Sequence, residues 1–130
     1  MINRICIIGV GLIGGSLARA LKSAGACKEI VGTSRNLQHL QTAKDLNIID
    51  RLETSLPAAV KDADIVVVAV PVGAMDAVFT SLATCLSEKT VLNDVGSTKC
   101  SVIKAVESAF GQIPKNFVAA HPIAGTEKTG

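Results

Sequence analysis

Short runs of Val and Ile alternate along this chain with longer stretches in which apolar residues recur every three or four positions. The runs are too short for helices and have the β-branched character of buried strands. Arg4 to Ile8, Glu29 to Gly32, Ile49 to Leu52, Ile65 to Val70, Thr90 to Asn93 and Asn116 to Ala119 read as six strands. Between them, Leu12 to Ala24, Leu37 to Leu46, about Ala74 to Leu86 and about Lys99 to Phe110 read as helices. Ser55 and Pro57 mark the start of a short further helix. Gly25 suits the end of the first helix, and Asn36 the cap of the second.

Strict alternation of strand and helix predicts an α/β fold, a Rossmann-type doubly wound parallel sheet with helices on both faces. Ligands in such sheets bind at the carboxyl ends of the strands. Gly9, Ser34, Pro71, Asp94 and His121 each fall just after or at the end of a strand, so one edge of the sheet is expected to gather the polar candidates.

Composition narrows the class. The chain has 130 residues, enough for one domain with its own core. Residues 1–130 are accordingly read as one domain. Hydrophobic residues make up 48% and charged residues 18%, and the net charge is +2. With three Phe, no Trp or Tyr and no basic run, nucleic-acid binding is not expected. The longest uncharged apolar run, Ile65 to Met75, is too short to span a membrane and contains Pro71 and Gly73. The apolar stretch near the N-terminus is broken by glycines, with Arg19 inside any cleavage site, so it reads as strand, turn and helix rather than a signal peptide. The four cysteines, Cys6, Cys27, Cys85 and Cys100, show no C-x-x-C spacing. They read as reduced thiols in a cytoplasmic protein, with no metal site.

Candidate chemistry begins at the first turn. Gly9-x-Gly11-x-x-Gly14 lies between a strand and a helix. The first glycine allows the turn, the second lets a pyrophosphate approach the backbone, and the third lets helix and strand pack closely. The helix N-terminus then presents free N–H groups to the phosphates. Leu12 and Ile13 open that helix, and Val70 and Pro71 close the fourth strand beside the same turn. All four are assigned to cofactor binding with the glycines.

An NAD site places Asp or Glu after the second strand, on the ribose 2′-hydroxyl. Here the sequence is Thr33-Ser34-Arg35-Asn36. Ser34 can donate a hydrogen bond, and the fork of Arg35 suits a 2′-phosphate. NADP is the expected cofactor, with NAD possible, and a solvated loop arginine is the competing reading. His39 sits on an amphipathic helix and receives no role.

Two further motifs stand after later strands: Asp94-Val95-Gly96-Ser97-Thr98-Lys99, and His121-Pro122-Ile123-Ala124-Gly125-Thr126-Glu127. Ser97 either caps the following helix, or sits beside the imidazole of His121 and fixes its tautomer, or does both. Lys99 reads as a solvated first-turn residue or as a positive charge for an anionic ligand. A neutral imidazole is a good base near neutral pH.

With the glycine turn Gly9-Val10-Gly11-Leu12-Ile13-Gly14-Gly15-Ser16, these motifs closely resemble the prephenate/arogenate dehydrogenases of tyrosine biosynthesis. The resemblance implies oxidative decarboxylation of prephenate to 4-hydroxyphenylpyruvate, or of arogenate to tyrosine. It makes His121 the base on the ring C4 hydroxyl and Ser97 the residue that orients it, with Ser97, His121, Thr126 and Glu127 at the substrate. Glu127 would influence the choice between substrates. Members continue into a helical C-terminal domain that completes the substrate pocket and forms a homodimer, so this chain is expected to be a fragment without full activity. Another NADP-dependent dehydrogenase, of the β-hydroxyacid type, and a non-catalytic dinucleotide-binding module are the alternatives.

Overall fold

In the computed structural model, residues 2–9, 12–70, 72–87, 89–94, 110 and 117–119 are described, and the account below is of those. The elements follow in the order β1 (Ile2–Ile8), α1 (Leu12–Ala24), β2 (Cys27–Thr33), α2 (Leu37–Asp45), β3 (Arg51–Leu52), α3 (Leu56–Val60), β4 (Ile65–Val68), α4 (Val72–Cys85), β5 (Val91–Asp94) and β6 (Phe117–Ala119). The strands form one sheet in the order β3-β2-β1-β4-β5-β6. Every pairing is parallel. This is the doubly wound order, with its reversal between β1 and β4.

Residues of the strands feed alternate faces of the sheet. Ile5, Ile7, Ile30 and Val67 pack with Ala18 of α1 and with Leu40 and Ala43 of α2. Cys6, Ile8, Val31, Val66, Val68 and Leu92 pack with Ala59 and Val60 of α3 and Met75, Phe79 and Leu82 of α4. The central segments Ile5–Ile8, Ile30–Thr33 and Val66–Val68 are buried on both faces, which is why they are mostly continuous apolar runs rather than alternating ones. Phe110, the last residue of the expected helix at Lys99 to Phe110, packs on the second of these clusters. The rest of that helix lies outside the described residues.

Most element boundaries shift by one or two residues from the expectation, and two of the shifts have a visible cause. β4 stops at Val68, not Val70, because its partner ends there: Ala69 N–H donates to Ile8 O at 2.8 Å, and β1 then turns away. The third strand begins at Arg51 rather than Ile49. Asp50 takes over the pairing just before it, its N–H donating to Ile30 O at 2.9 Å and its Oδ2 accepting from Ile30 N–H at 2.8 Å. Ser55 stands at the N-cap of α3 but makes no side-chain capping bond.

Helix ends are set by left-handed residues. Gly25 has φ 62°, with Gly25 N–H on Lys22 O and Ala26 N–H on Leu21 O. α2 ends the same way on Asn47, also at φ 62°. These paired bonds satisfy the last free carbonyls of each helix. Lys22 then reaches across the ends of both helices, 2.8 Å from Asn47 O and 2.8 Å from Asp50 Oδ1.

Partial burial works to raise the pKa of Asp50, but the bonds from Lys22 and Ile30 N–H outweigh it and hold the carboxyl below its ordinary value. A lowered folded pKa gives stability that is present above the unfolded carboxylate value and is lost as pH falls through the folded one. Asp50→Asn should therefore lower stability at pH 7 by about 1 kcal/mol or less, since the pair is partly screened by solvent. The difference from the unmodified protein should vanish near pH 3. Urea unfolding at the two pH values checks it.

Candidate functional site: the cavity at the strand ends

The glycine turn leaves β1 at the point where the strand order reverses. Gly9 has φ 93°, a conformation that L side chains rarely adopt. Its N–H donates to Thr33 O at 2.8 Å, which extends the β1–β2 pairing by one bond. A Cβ at this position would lie 2.6 Å from Ala69 O and 2.8 Å from Val70 Cγ1. A Cβ at Gly14 would overlap Gly9 O and come within 3.3 Å of Ile7 Cγ2. Helix α1 thus rests directly on the turn, backbone to backbone. Gly11 lies outside the described residues. Leu12 and Ile13 form the first turn of α1.

Beside this turn a cavity of about 670 Å³ opens over the carboxyl ends of β1, β2 and β4. Its floor is Ile8 and Gly9, and one wall is Leu56, Val70, Ala74 and Val78. The opposite rim is the loop from β2 to α2, Thr33 to Asn36, with His39. The size and the mixture of apolar wall and polar rim are those of a small-molecule site. Of the expected cofactor residues, the structure brings Gly9, Ser34, Arg35 and Val70 to this cavity. Gly14 acts beneath it, through packing. Pro71 lies outside the described residues.

The rim is ordered by short local bonds. Ser34 Oγ accepts from Asn36 N–H at 3.1 Å, and Asn36 Oδ1 accepts from His39 N–H at 3.0 Å, capping α2. The Ser34 hydroxyl proton is not consumed by its bond, so it can be donated into the cavity. Arg35 is exposed and has no ion-pair partner among the described residues. Among the described residues, Arg35 and His39 are the two ionisable ones lining the cavity, and no carboxylate lines it.

Sequence reading missed His39, Thr54 and the α4 residues of the wall. His39 stands in the first turns of α2, so its helical periodicity only marked it as a surface position. Thr54 follows a two-residue strand too short to flag what comes after it.

Asp94 ends β5, is buried, and pairs in register with Ala119 of β6. Ser97, Lys99, His121, Thr126 and Glu127 lie outside the described residues. Cys6 is fully buried in the sheet, and burial pushes its thiol up to about 12. Cys27 and Cys85, half-buried, are also raised by burial, so none of the three is a thiolate at neutral pH. Cys100 is outside the described residues. Among the described residues, no cluster of His, Cys, Asp and Glu could hold a metal ion, and no helix is long and apolar enough to cross a membrane.

The family model of the prephenate dehydrogenase nucleotide-binding domain matches residues 17–130. The cyclohexadienyl dehydrogenase of Zymomonas mobilis is 36% identical over 98% of this chain, which spans 43% of that protein's length. Among solved structures, prephenate dehydrogenase from A. aeolicus, in complex with hydroxyphenyl propionate and NAD+, superimposes with a TM-score of 0.82 at 34% identity, covering 97% of this chain and 43% of that one. Synechocystis arogenate dehydrogenase does so with a TM-score of 0.79 at 25% identity, over 92% of this chain and 40% of that one.

The geometry of the turn makes a direct prediction. Gly9→Ala should destabilise the fold by about 2 kcal/mol or more, from the positive φ and the collision with Ala69 O together. Thermal unfolding measures the loss.

Proposed function

The chain belongs to the prephenate dehydrogenase family, matching its nucleotide-binding domain, and we propose that it carries the NADP site and the proton-accepting histidine of an enzyme that oxidatively decarboxylates prephenate or arogenate. The chain spans less than half the length of the relatives it matches. The proposal is therefore about its share of the work. The observation that carries it is the cavity at the glycine turn, rimmed by Ser34 and Arg35 and, among the described residues, lined by no carboxylate.

The residues present fit a nicotinamide dinucleotide. Gly9 and Gly14 hold a turn in which side chains have no room, which brings bare backbone to the place where a pyrophosphate lies. Gly11, Leu12, Ile13 and Pro71 complete that cradle. The apolar wall, including Val70, suits an adenine ring. Ser34 and Arg35 face the ribose, where a carboxylate would repel a 2′-phosphate and a guanidinium fork attracts it. The bound cofactor supplies a hydride acceptor; the protein supplies orientation and a base.

That base is His121. It follows Ala119 by two residues, Ser97 follows Asp94 by three, and Asp94 and Ala119 are register partners. Chain reach of about 3.5 Å per residue therefore supports bringing the imidazole and the hydroxyl to one edge. His121 accepts the proton of the substrate's C4 hydroxyl, and Ser97 positions the ring. Thr126 and Glu127, just beyond, contact the substrate. Aromatisation of the ring supplies the driving force, so orientation is most of what the protein must contribute. The complete enzyme is a cytoplasmic homodimer, joined through a helical domain that also completes the substrate pocket.

Two experiments test the reading. Arg35→Ala should weaken NADP binding by roughly 1–3 kcal/mol and leave NAD binding little changed. Titrations in which the unmodified protein binds NAD more tightly than NADP would sink the cofactor assignment. In a protein long enough to match its relatives, His121→Asn should keep dinucleotide binding but lower kcat by roughly 10²–10⁴. Its unmodified form should lose kcat/KM at low pH, as the imidazole becomes charged. Near-normal turnover by His121→Asn would refute the role.

A further inference from the structure

Arg35 has a companion on the same rim. His39 lines the cavity four positions along the chain from Arg35, in the first turns of α2. Its backbone N–H is occupied by the Asn36 cap at 3.0 Å, which fixes the start of the helix from which the imidazole projects. We infer that His39 is a second determinant of cofactor choice, adding a positive charge beside the 2′-phosphate only when its imidazole is protonated. The inference rests on the reading of this cavity as an NADP site.

The charges around the imidazole favour this role. Among the described residues, Arg35 is the other ionisable member of the rim. From the β3–α3 side the cavity receives Thr54 and Leu56, and from α4 it receives Ala74, Ala77, Val78 and Ser81, none of them charged. Glu53, the nearest acid in sequence on that side, is engaged with Arg51 Nε at 3.3 Å and does not line the cavity. Within α2, Lys44 and Asp45 lie in the last turn, away from the cavity. Among the described residues no carboxylate lines the cavity to neutralise a charged imidazole, so an anionic ligand is a group it would meet. NAD carries no phosphate at this position and gains little from it. A charge that the imidazole gains on protonation makes the discrimination pH-dependent.

The test is to titrate the unmodified protein, His39→Gln and His39→Arg with NADP and with NAD at pH 6 and pH 8. The unmodified protein should prefer NADP at both pH values. Relative to His39→Gln, its preference should be about three- to fivefold greater at pH 6, the size of one solvent-exposed charged contact. The two should converge at pH 8. His39→Arg should hold the higher preference at pH 8 as well. Because the 2′-phosphate also titrates near pH 6, only the difference between variants is read. If His39→Gln matches the unmodified protein at both pH values while NADP is still preferred, His39 has no part in the choice and only this inference falls. If the unmodified protein shows no preference for NADP at either pH, the NADP reading falls and takes this inference with it.

Discussion

The contact on which the rest of this structure depends is the approach of the β1–α1 turn to the end of β4. Gly9 sits where a single added carbon would strike Ala69 O and Val70 Cγ1, and Gly14 sits where one would strike Gly9 itself. Removing side chains there lets α1 begin directly off the central strand. It also puts backbone, rather than side chain, at the point where the strand order reverses. Interiors pack too densely to absorb even one extra methyl group at such a crossing without movement. One steric constraint therefore shapes both the core and the mouth of the cavity.

Charge reaches the described lining of the cavity from its rim. The sheet and its helices bury apolar residues on both faces and leave polar chemistry to the loops at the strand ends. At the β2–α2 loop, Ser34 and Asn36 spend their side-chain oxygens on local backbone N–H groups. That fixes the loop and leaves Arg35 and His39 as the ionisable members of the lining among the described residues. The opposite edge of the sheet is held differently. There Asp64 Oδ2 accepts from the N–H groups of Asn3 and Arg4, bonds that lower its pKa, and Arg4 pairs with Glu29 across the strands. Carboxylates at that end stabilise the strand pairing.

Much of this was legible in the sequence, for physical reasons. Runs such as Ile65 to Val68 are buried on both faces, so they stand out as unbroken apolar segments, and their alternation with helices dictates a parallel sheet. Gly9 and Gly14 were legible because the constraint on them is steric and local. Ser34, Arg35 and Val70 were legible because they follow strands in a fold whose ligands bind there. Less visible was anything made by a side chain reaching between elements. Asp50 replaces a stretch of strand with its own carboxylate, so the third strand is shorter than its apolar residues suggest. His39 joins the site through the direction in which α2 leaves the sheet, which no local pattern encodes.

The central claim is that a dinucleotide lies across the glycine turn with its 2′-phosphate against the β2–α2 loop. A crystal structure of the protein grown with NADP tests it most directly. The account predicts the pyrophosphate over the Gly9 turn and the 2′-phosphate within hydrogen-bond distance of the Arg35 guanidinium and the Ser34 hydroxyl. A dinucleotide bound elsewhere, or one whose 2′-phosphate points away from Ser34 and Arg35 into solvent, would contradict it.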